Sequence, residues 1–345
     1  MQEEMRFGIV GTGLIADVVG RAIEAVTDAR LAGVASRRRA AAEEFAAGHG
    51  SPEVFDDWRS LVASDAIDAV YVATPTSVRE EISVAVAANG KHLLADKPFA
   101  SLASLAKMTG ACREAGVAFM DATHFSHHPR TRKIRSELPE RIGRVQAVRT
   151  CFFFPLTDPT DIRFDPEKEP TGAVGDMAWY SMRAIAEFMP HDARIERVSA
   201  NAVRDAETDA VVRVSGHLAF DEGRSSTFDA GYDCGTLAMD LDLLGERGMI
   251  CLDDFVLDWA GGFAFDDPSY PVGFTERSGI VSPGGFERVG TPSERRAAEL
   301  MIAEFVRLAR EPAGEARTAR VALAERTQSL LDAVWSGIMV GEGAR

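Results

Sequence analysis

The fold of this 345-residue chain is decided by the stretch Gly11-Thr12-Gly13-Leu14-Ile15-Ala16. It follows an apolar segment at 6–10 that is typical of a buried strand, and it opens a helical segment at 14–26. Gly11 permits a tight turn, Gly13 lets a pyrophosphate approach the backbone, and the small Ala16 lets helix and strand pack closely. Amides at the start of the helix attract phosphate. The pattern predicts a dinucleotide-binding loop; the alternative is an ordinary glycine turn in an α/β fold.

Strands and helices alternate on both sides of this loop through the first 122 residues. The further predicted strands are 31–35, 67–73, 92–95 and 118–121, and the helices between them are 38–48, 80–89 and 102–115. Alternation of this length indicates parallel βαβ units. We therefore expect an N-terminal Rossmann domain over 1–122, with a doubly wound parallel sheet covered by helices on both faces.

The pattern changes after residue 122. Short turn-rich links join six β-like segments between 145 and 252, which favours antiparallel pairing. One helix is expected at about 173–188, then a loop rich in Gly, Pro and Phe at 261–290, then two helices. We expect an α+β domain over 123–345 with an open, mostly antiparallel sheet. Its last helices, 293–338, should pack back on this sheet or on the Rossmann domain. An open sheet would leave an apolar face, which predicts a homodimer or homotetramer.

Composition excludes several classes of protein. The net charge of −15 argues against general binding of nucleic acid or of an anionic membrane. No apolar run reaches the roughly 18 residues of a membrane helix, and the first residues lack the apolar core of a signal peptide. The four cysteines form no CxxC pair, so we expect reduced thiols in a cytoplasmic protein without a metal site.

The end of the second strand indicates which dinucleotide binds. A carboxylate there would hold the ribose 2′-OH of NAD. The strand ends instead in Ser36-Arg37-Arg38-Arg39, without an acid. Ser36 can donate a hydrogen bond, and Arg37 or Arg38 can pair with a 2′-phosphate. We expect NADP(H) in preference to NAD(H); the alternative is that the arginines begin a solvated helix.

A lysine follows the strand at 92–95, in Ala95-Asp96-Lys97-Pro98. Lysine is scarce here, with five against 33 arginines. Doubly wound sheets bind ligands at the carboxyl ends of their strands. Lys97 is therefore placed to reach a reacting oxygen and to lower the pKa of a nearby hydroxyl acid. The alternative is a surface lysine.

A second candidate group lies on the helix expected at 173–188. Asp176, Tyr180 and Arg183 are spaced i, i+4 and i+7, which puts them on one helix face. Asp176 is expected in the first turn, where its charge suits the helix dipole, and the glycines before it should let substrate approach. Tyr180 near a lysine is a workable proton donor to a carbonyl. The alternative is a tyrosine hydroxyl satisfied in a domain interface.

Together these motifs resemble the glucose–fructose oxidoreductase / inositol dehydrogenase / MocA family over nearly the whole chain. The shared elements are the glycine loop, Ala73-Thr74-Pro75, Asp96-Lys97-Pro98 in place of the usual Glu-Lys-Pro, and Asp176-x-x-x-Tyr180. The resemblance implies hydride transfer between NAD(P) and a sugar, cyclic polyol or related carbonyl compound. It implies cofactor contacts from Thr74, Pro75, Asp96 and Lys97. The chain departs from the family where Thr76-Ser77-Val78-Arg79 replaces Asn-x-x-His.

The resulting hypothesis is an NADP-dependent oxidoreductase acting on a sugar or cyclic polyol. Tyr180 is the proposed acid and base, Lys97 stabilises the alkoxide, and Asp176 orients substrate hydroxyls or Lys97. Three alternatives stay open: a trans-dihydrodiol dehydrogenase, a nucleotide-sugar 3-ketoreductase, and a non-catalytic NADP-binding regulator.

Weaker substrate-binding candidates are His127, His128, Arg163 and Arg183, with structural hydrogen bonding as their alternative. Residues 121–150 carry seven basic and three acidic groups, a local +4. That surplus is either a solvated helix face or a site for a phosphate-bearing substrate.

Overall fold

The computed structural model describes residues 3–261, 267–311 and 313–343, which form two compact units. The first unit contains the chain up to His127 together with Arg295–Glu325, and the second contains His128–Glu294 and the chain from Arg326 onward. The division therefore falls five residues later than the expected boundary after residue 122. A segment from the end of the chain also belongs to the first unit.

The first unit is built on six parallel strands in the order β3-β2-β1-β4-β5-β6. This order confirms the doubly wound sheet. The short strand β3 was not predicted, because its three residues are only partly buried. The strands are β1 (Met5–Val10), β2 (Ala29–Ala35), β3 (Glu53–Phe55), β4 (Ala69–Val72), β5 (His92–Ala95) and β6 (Phe119–Asp121).

Helices cover this sheet and bury its apolar side chains. They are α1 (Leu14–Glu24), α2 (Arg39–Gly48), α3 (Trp58–Ala63), α4 (Thr76–Ala88), α5 (Leu102–Glu114) and, from the end of the chain, α9 (Ala297–Arg310). Helix α9 places Phe305 against Phe7 of β1, with ring centroids 5.7 Å apart, and both are fully buried. The last helices were expected to pack either on the antiparallel sheet or on the Rossmann domain. Helix α9 packs on the Rossmann unit.

The second unit contains an eight-stranded sheet in the order β14-β13-β12-β11-β7-β10-β9-β8. Neighbouring strands are antiparallel except β7 and β10, which confirms the mostly antiparallel sheet. The hairpin β13–β14 lies inside the loop expected at 261–290, whose residues 262–266 are outside the described part. The strands are β7 (Val145–Phe153), β8 (Ile195–Arg204), β9 (Val211–Phe220), β10 (Ser225–Gly231), β11 (Ala238–Gly245), β12 (Met249–Leu252), β13 (Gly273–Arg277) and β14 (Glu287–Gly290).

One face of this sheet packs on helices α7 (Gly172–Asp176) and α8 (Ala178–Phe188). Helix α6 (Pro129–Arg141) precedes the sheet, and α10 (Glu315–Gly343) closes the chain. The helix expected at 173–188 is therefore two helices that meet at Met177. None of the helices in the described part of the chain has the length and apolarity that a membrane crossing needs.

The other face of the sheet is polar, contrary to the expected apolar face. Alternate residues of its central strands point there and are exposed or half-buried: Arg149, Cys151, Thr227, Asp229, Asp240 and Asp242. A homo-oligomer stays a prediction, without support from an apolar sheet face.

Candidate active site

The glycine loop is held between the carboxyl ends of β2 and β4. The Gly11 amide donates to the Ala35 carbonyl at 2.9 Å. Gly11 has φ +111°, and a Cβ there would lie 2.7 Å from the Ala73 carbonyl oxygen, so the turn requires glycine. Gly13 is the N-cap of α1, and a Cβ added to it would have no neighbour within 4 Å. With Ala16 fully buried, the loop leaves open space at a helix N-terminus, which suits a pyrophosphate.

The rest of the loop reaches the end of β2. The Thr12 hydroxyl donates to the Ser36 hydroxyl at 3.3 Å, so the two predicted cofactor contacts are neighbours. Leu14 is 69% exposed and Ile15 is half-buried. The placement of these loop residues suits an adenine dinucleotide. Its ribose would lie between the glycine loop and the end of β2.

The three arginines after Ser36 differ in their contacts. Arg39 is the first residue of α2 and pairs with Glu43 at 2.9 Å and with Asp56. Arg37 and Arg38 are exposed, and neither makes an ion pair with a described residue. One arginine therefore begins the solvated helix, and two remain available to an anion.

The turns after β4 and β5 lie side by side. Val72 pairs with Ala95, and the Asp96 amide donates to the Val72 carbonyl at 3.0 Å. Thr74 and Pro75 follow β4, while Asp96 and Lys97 follow β5 and are each 9% exposed. The predicted contacts Thr74, Pro75, Asp96 and Lys97 thus meet at the carboxyl edge of the parallel sheet, where such sheets bind ligands.

Arg79 was missed as a functional candidate. Its side chain is buried and bonds to both of these turns, through the carbonyls of Thr74 and Pro98. The available signal was the departure from the family pattern at this position.

A buried histidine lies in the same unit, in the short turn after β6. Burial lowers the pKa of His124 to about 4, and the nearby positive charge of Lys97 contributes. His124 is therefore neutral at physiological pH. The imidazole therefore adds no second positive charge beside the ammonium group of Lys97.

This histidine should make the fold sensitive to acid. Its folded pKa lies below the ordinary value of 6.5, so the unfolded chain takes up the proton first as pH falls. Stability is lost from about pH 6.5 downward, by about 2 kcal/mol between about pH 7.5 and pH 5. We expect His124→Gln to remove most of this pH dependence of the free energy of unfolding, as measured by urea unfolding at each pH. His191→Gln, at an exposed histidine, is the control; equal slopes in the wild type and His124→Gln would contradict the assignment.

In the second unit, Tyr180 is the third residue of α8. Its side chain is 7% exposed, and its ring packs edge-on against Phe152 with centroids 5.2 Å apart and planes at 86°. Phe152 in turn lies edge-on to Phe255. The aromatic contacts fix the direction of the ring and hence of the hydroxyl.

Asp176 ends α7, so the prediction that it lies in the first turn of one long helix is wrong. Its Oδ2 accepts from Arg163 Nε at 2.5 Å and from the Tyr232 hydroxyl at 3.1 Å. The carboxylate raises the pKa of Arg163, and burial together with Asp176 raises that of Tyr232. Arg163, predicted near substrate, is thus an ion-pair partner of Asp176. Gly172 serves packing, because a Cβ there would lie 2.4 Å from the Val211 carbonyl.

Of the remaining weaker candidates, His128 and Arg183 make structural contacts. His128 caps α6, its Nδ1 accepting from the Arg130 amide at 3.0 Å, and its Nε2 lies 3.6 Å from Asp258. His127 is buried, and Arg183 is buried over the Trp179 ring. Within the described ranges, no group of three or more His, Cys, Asp or Glu could hold a metal. Substrate contacts from these residues stay predictions.

The basic segment at 121–150 is largely neutralised by ion pairs. The pairs are Arg130–Asp254, Lys133–Glu137, Arg135–Glu187, Arg141–Glu276, Arg144–Glu222 and Arg149–Asp242. Of its seven cations, only Arg132 has no ion pair with a described residue. The segment therefore supplies no cluster of unpaired cations for a phosphate-bearing substrate.

Comparison with known proteins gives three informative matches. A D-xylose 1-dehydrogenase (NADP(+)) from Haloferax volcanii is 32% identical over 232 residues, covering 66% of this chain and 70% of that protein. A dTDP-3,4-didehydro-2,6-dideoxy-α-D-glucose 3-reductase from Streptomyces violaceoruber is 28% identical, covering 96% of this chain and 94% of that protein. A solved 3-ketoreductase from Actinomadura kijaniata, in complex with NADP and TDP-benzene, has TM-score 0.84 at 23% identity and covers 97% of this chain and 98% of that chain.

The family comparison covers most of both units. The oxidoreductase family with an NAD-binding Rossmann fold, GFO/IDH/MocA, matches residues 5–123, and the C-terminal domain of the same family matches residues 138–251. The chain therefore belongs to the GFO/IDH/MocA oxidoreductase family, as the glycine loop, the Lys97 turn and the Tyr180 helix had indicated.

Proposed function

We propose that this oxidoreductase uses NADP(H) to interconvert a hydroxyl and a keto group on a neutral sugar or cyclic polyol. The observation that carries the cofactor choice is the acid-free end of β2, where Ser36 contacts Thr12. Arg37 and Arg38 are exposed there, and neither forms an ion pair with a described residue. A 2′-phosphate would find hydrogen-bond donors there and no repelling carboxylate. The xylose dehydrogenase match supports both the cofactor and the substrate class.

The proposed chemistry assigns one role to each of three side chains. The bound nicotinamide supplies or accepts the hydride. Tyr180 gives a proton to the substrate oxygen in reduction and takes it back in oxidation. The positive charge of Lys97 stabilises the alkoxide and lowers the pKa of the tyrosine hydroxyl. Asp176, whose Oδ2 accepts hydrogen bonds from Arg163 and Tyr232, also accepts hydrogen bonds from substrate hydroxyls.

A nucleotide-sugar 3-ketoreductase is the second candidate. The 3-reductase from Streptomyces violaceoruber supports it, because that match extends over 96% of this chain. The ion pairs of the segment at 121–150 favour the neutral substrate, since a diphosphate binds best to cations that are not already paired.

A substrate panel tests the proposal. NADPH oxidation would be followed with keto-sugars and with a dTDP-keto-sugar, and NADP⁺ reduction with aldoses, inositols and a trans-dihydrodiol. We expect turnover with neutral sugars or polyols. Turnover only with the dTDP-sugar or the dihydrodiol would move the assignment to that alternative. Binding of NADPH without any turnover would indicate a regulator.

The cofactor preference can be tested separately. Replacing Arg37 and Arg38 together by alanine removes the donors proposed for the 2′-phosphate. We expect the KM for NADPH to rise about 10-fold, because a charge-assisted hydrogen bond contributes about 1.5 kcal/mol at such an exposed position. The KM for NADH should change less than about twofold, because NADH lacks the phosphate.

Arg39→Ala is the matched control for this pair, since Arg39 is already bound to Glu43 and Asp56. It should leave both KM values near those of the wild type. An equal rise for NADPH and NADH in the double variant would contradict a 2′-phosphate site.

A further inference from the structure

We propose that Arg79 is a positioning residue that fixes the Lys97 turn for the reaction. The inference rests on the proposed function, because it assigns Arg79 an effect that passes through Lys97. It concerns a residue at which this chain departs from the family pattern.

The contacts of Arg79 join two separate turns. Its Nη2 donates to the Thr74 carbonyl at 2.5 Å, and its Nη1 donates to the Thr76 hydroxyl at 3.2 Å and to the Pro98 carbonyl. Thr74 belongs to the turn after β4, Thr76 is the first residue of α4, and Pro98 follows Lys97 directly. One side chain from the first turns of α4 therefore ties the proposed cofactor contacts to the proposed catalytic lysine.

The charge of Arg79 is unusual for its surroundings. The residue is 4% exposed, and no described carboxylate lies within 4.0 Å of its guanidinium nitrogens. Its bonds go to two carbonyls and a hydroxyl, and its Nε has no hydrogen-bond partner among the described residues. A buried cation without a carboxylate destabilises a fold. Its presence at the carboxyl edge of the sheet therefore points to a role in the site.

The hydrogen bond from Arg79 to the Pro98 carbonyl restrains the backbone around Lys97. The Pro98 carbonyl is one residue beyond Lys97, so holding it limits the directions in which the lysine backbone can turn. Without Arg79 the turn after β5 would lose its side-chain link to the turn after β4 and would keep the backbone hydrogen bond from Asp96 to Val72. A misplacement of about 1 Å in a catalytic group can cost about 100-fold in rate.

A double-mutant cycle tests this coupling. We expect Arg79→Met to lower kcat at least 10-fold, with the KM for sugar within threefold of the wild type. In the Lys97→Met background the same substitution should lower kcat less than threefold, because the group it positions is gone. Arg79→Lys should restore part of the rate, since an ammonium can reach one of the two carbonyls. If Arg79→Met does not fold, the cycle is measured with Arg79→Lys, which should then lower kcat about threefold in wild type and not at all with Lys97→Met.

Arg59→Met is the control. The exposed Arg59 lies on α3 and pairs with Glu81 on α4, the helix that also carries Arg79. Arg59→Met should leave kcat unchanged. Equal losses in both backgrounds, or an unchanged kcat in a folded Arg79 variant, would overturn the inference while leaving the role of Lys97 intact. If Lys97→Met alone leaves kcat unchanged, the proposed role of Lys97 fails, and the inference fails with it.

Discussion

Replacing Tyr180 by phenylalanine should lower kcat for the sugar reaction by about 100-fold to 10,000-fold, the usual contribution of a positioned proton donor. The substitution removes one oxygen and keeps the ring. The ring supplies the packing against Phe152, so the folded state should be retained. KM should change less than threefold, because the hydroxyl acts on charge that develops in the transition state.

Single-turnover and steady-state rates with NADPH would measure this effect. Tyr270→Phe is the matched control: it makes the same chemical change at a hydroxyl that donates to Asp253 at 2.6 Å. It should leave kcat within twofold of the wild type. A Tyr180→Phe enzyme with the wild-type rate would remove Tyr180 as the proton donor, and the family assignment would stand without it.

The first unit was predictable because its signals are local. A strand, a glycine turn and a helix follow one another within about twenty residues, and the side chains that define them pack on each other. Strand β1 and helix α1 start within one residue of their predicted positions. The proposed cofactor contacts Thr12 and Ser36 follow from the same signals, since each comes within two residues of the end of one of two neighbouring strands.

Features that depend on distant partners were not predictable. Helix α9 belongs with the first unit because Phe305 packs on Phe7, almost 300 residues earlier in the chain. The segment at 121–150 looked like a basic patch because its acids, such as Asp254 and Glu276, lie more than 100 residues later. The spacing of strands along the sequence does not reveal contacts between residues so far apart in the chain.

The catalytic roles proposed for Tyr180 and Asp176 stay predictions, and the local geometry around these residues was predicted less well than that of the first unit. The i, i+4 spacing of Asp176 and Tyr180 predicted one continuous helix and gave no sign of the break at Met177. Met177 itself has helical backbone angles, so the break is local. The partners of Asp176 come from separate loops and strands, so spacing could not reveal them. Arg79 was visible only as a departure from the family pattern, and its two turns meet through strand pairing.

The two glycines of the dinucleotide loop should separate binding from folding. Gly13 has extended backbone angles, and a Cβ added there meets nothing within 4 Å, so Gly13→Ala should fold with a Tm close to that of the wild type. The same methyl group would fill the space through which a pyrophosphate approaches the backbone. We expect the Kd for NADPH to rise about 30-fold to 100-fold, equivalent to about 2–3 kcal/mol.

Gly11→Ala should behave in the opposite way, and this contrast makes the prediction specific. Its φ of +111° and the 2.7 Å approach to the Ala73 carbonyl make an alanine strained in the folded protein, at a cost of about 2 kcal/mol or more. Thermal unfolding would show that loss, and fluorescence titration with NADPH would give both Kd values. If Gly13→Ala bound NADPH as tightly as the wild type, the pyrophosphate would not lie against this loop. The open space beside Gly13 would then be a property of the turn alone.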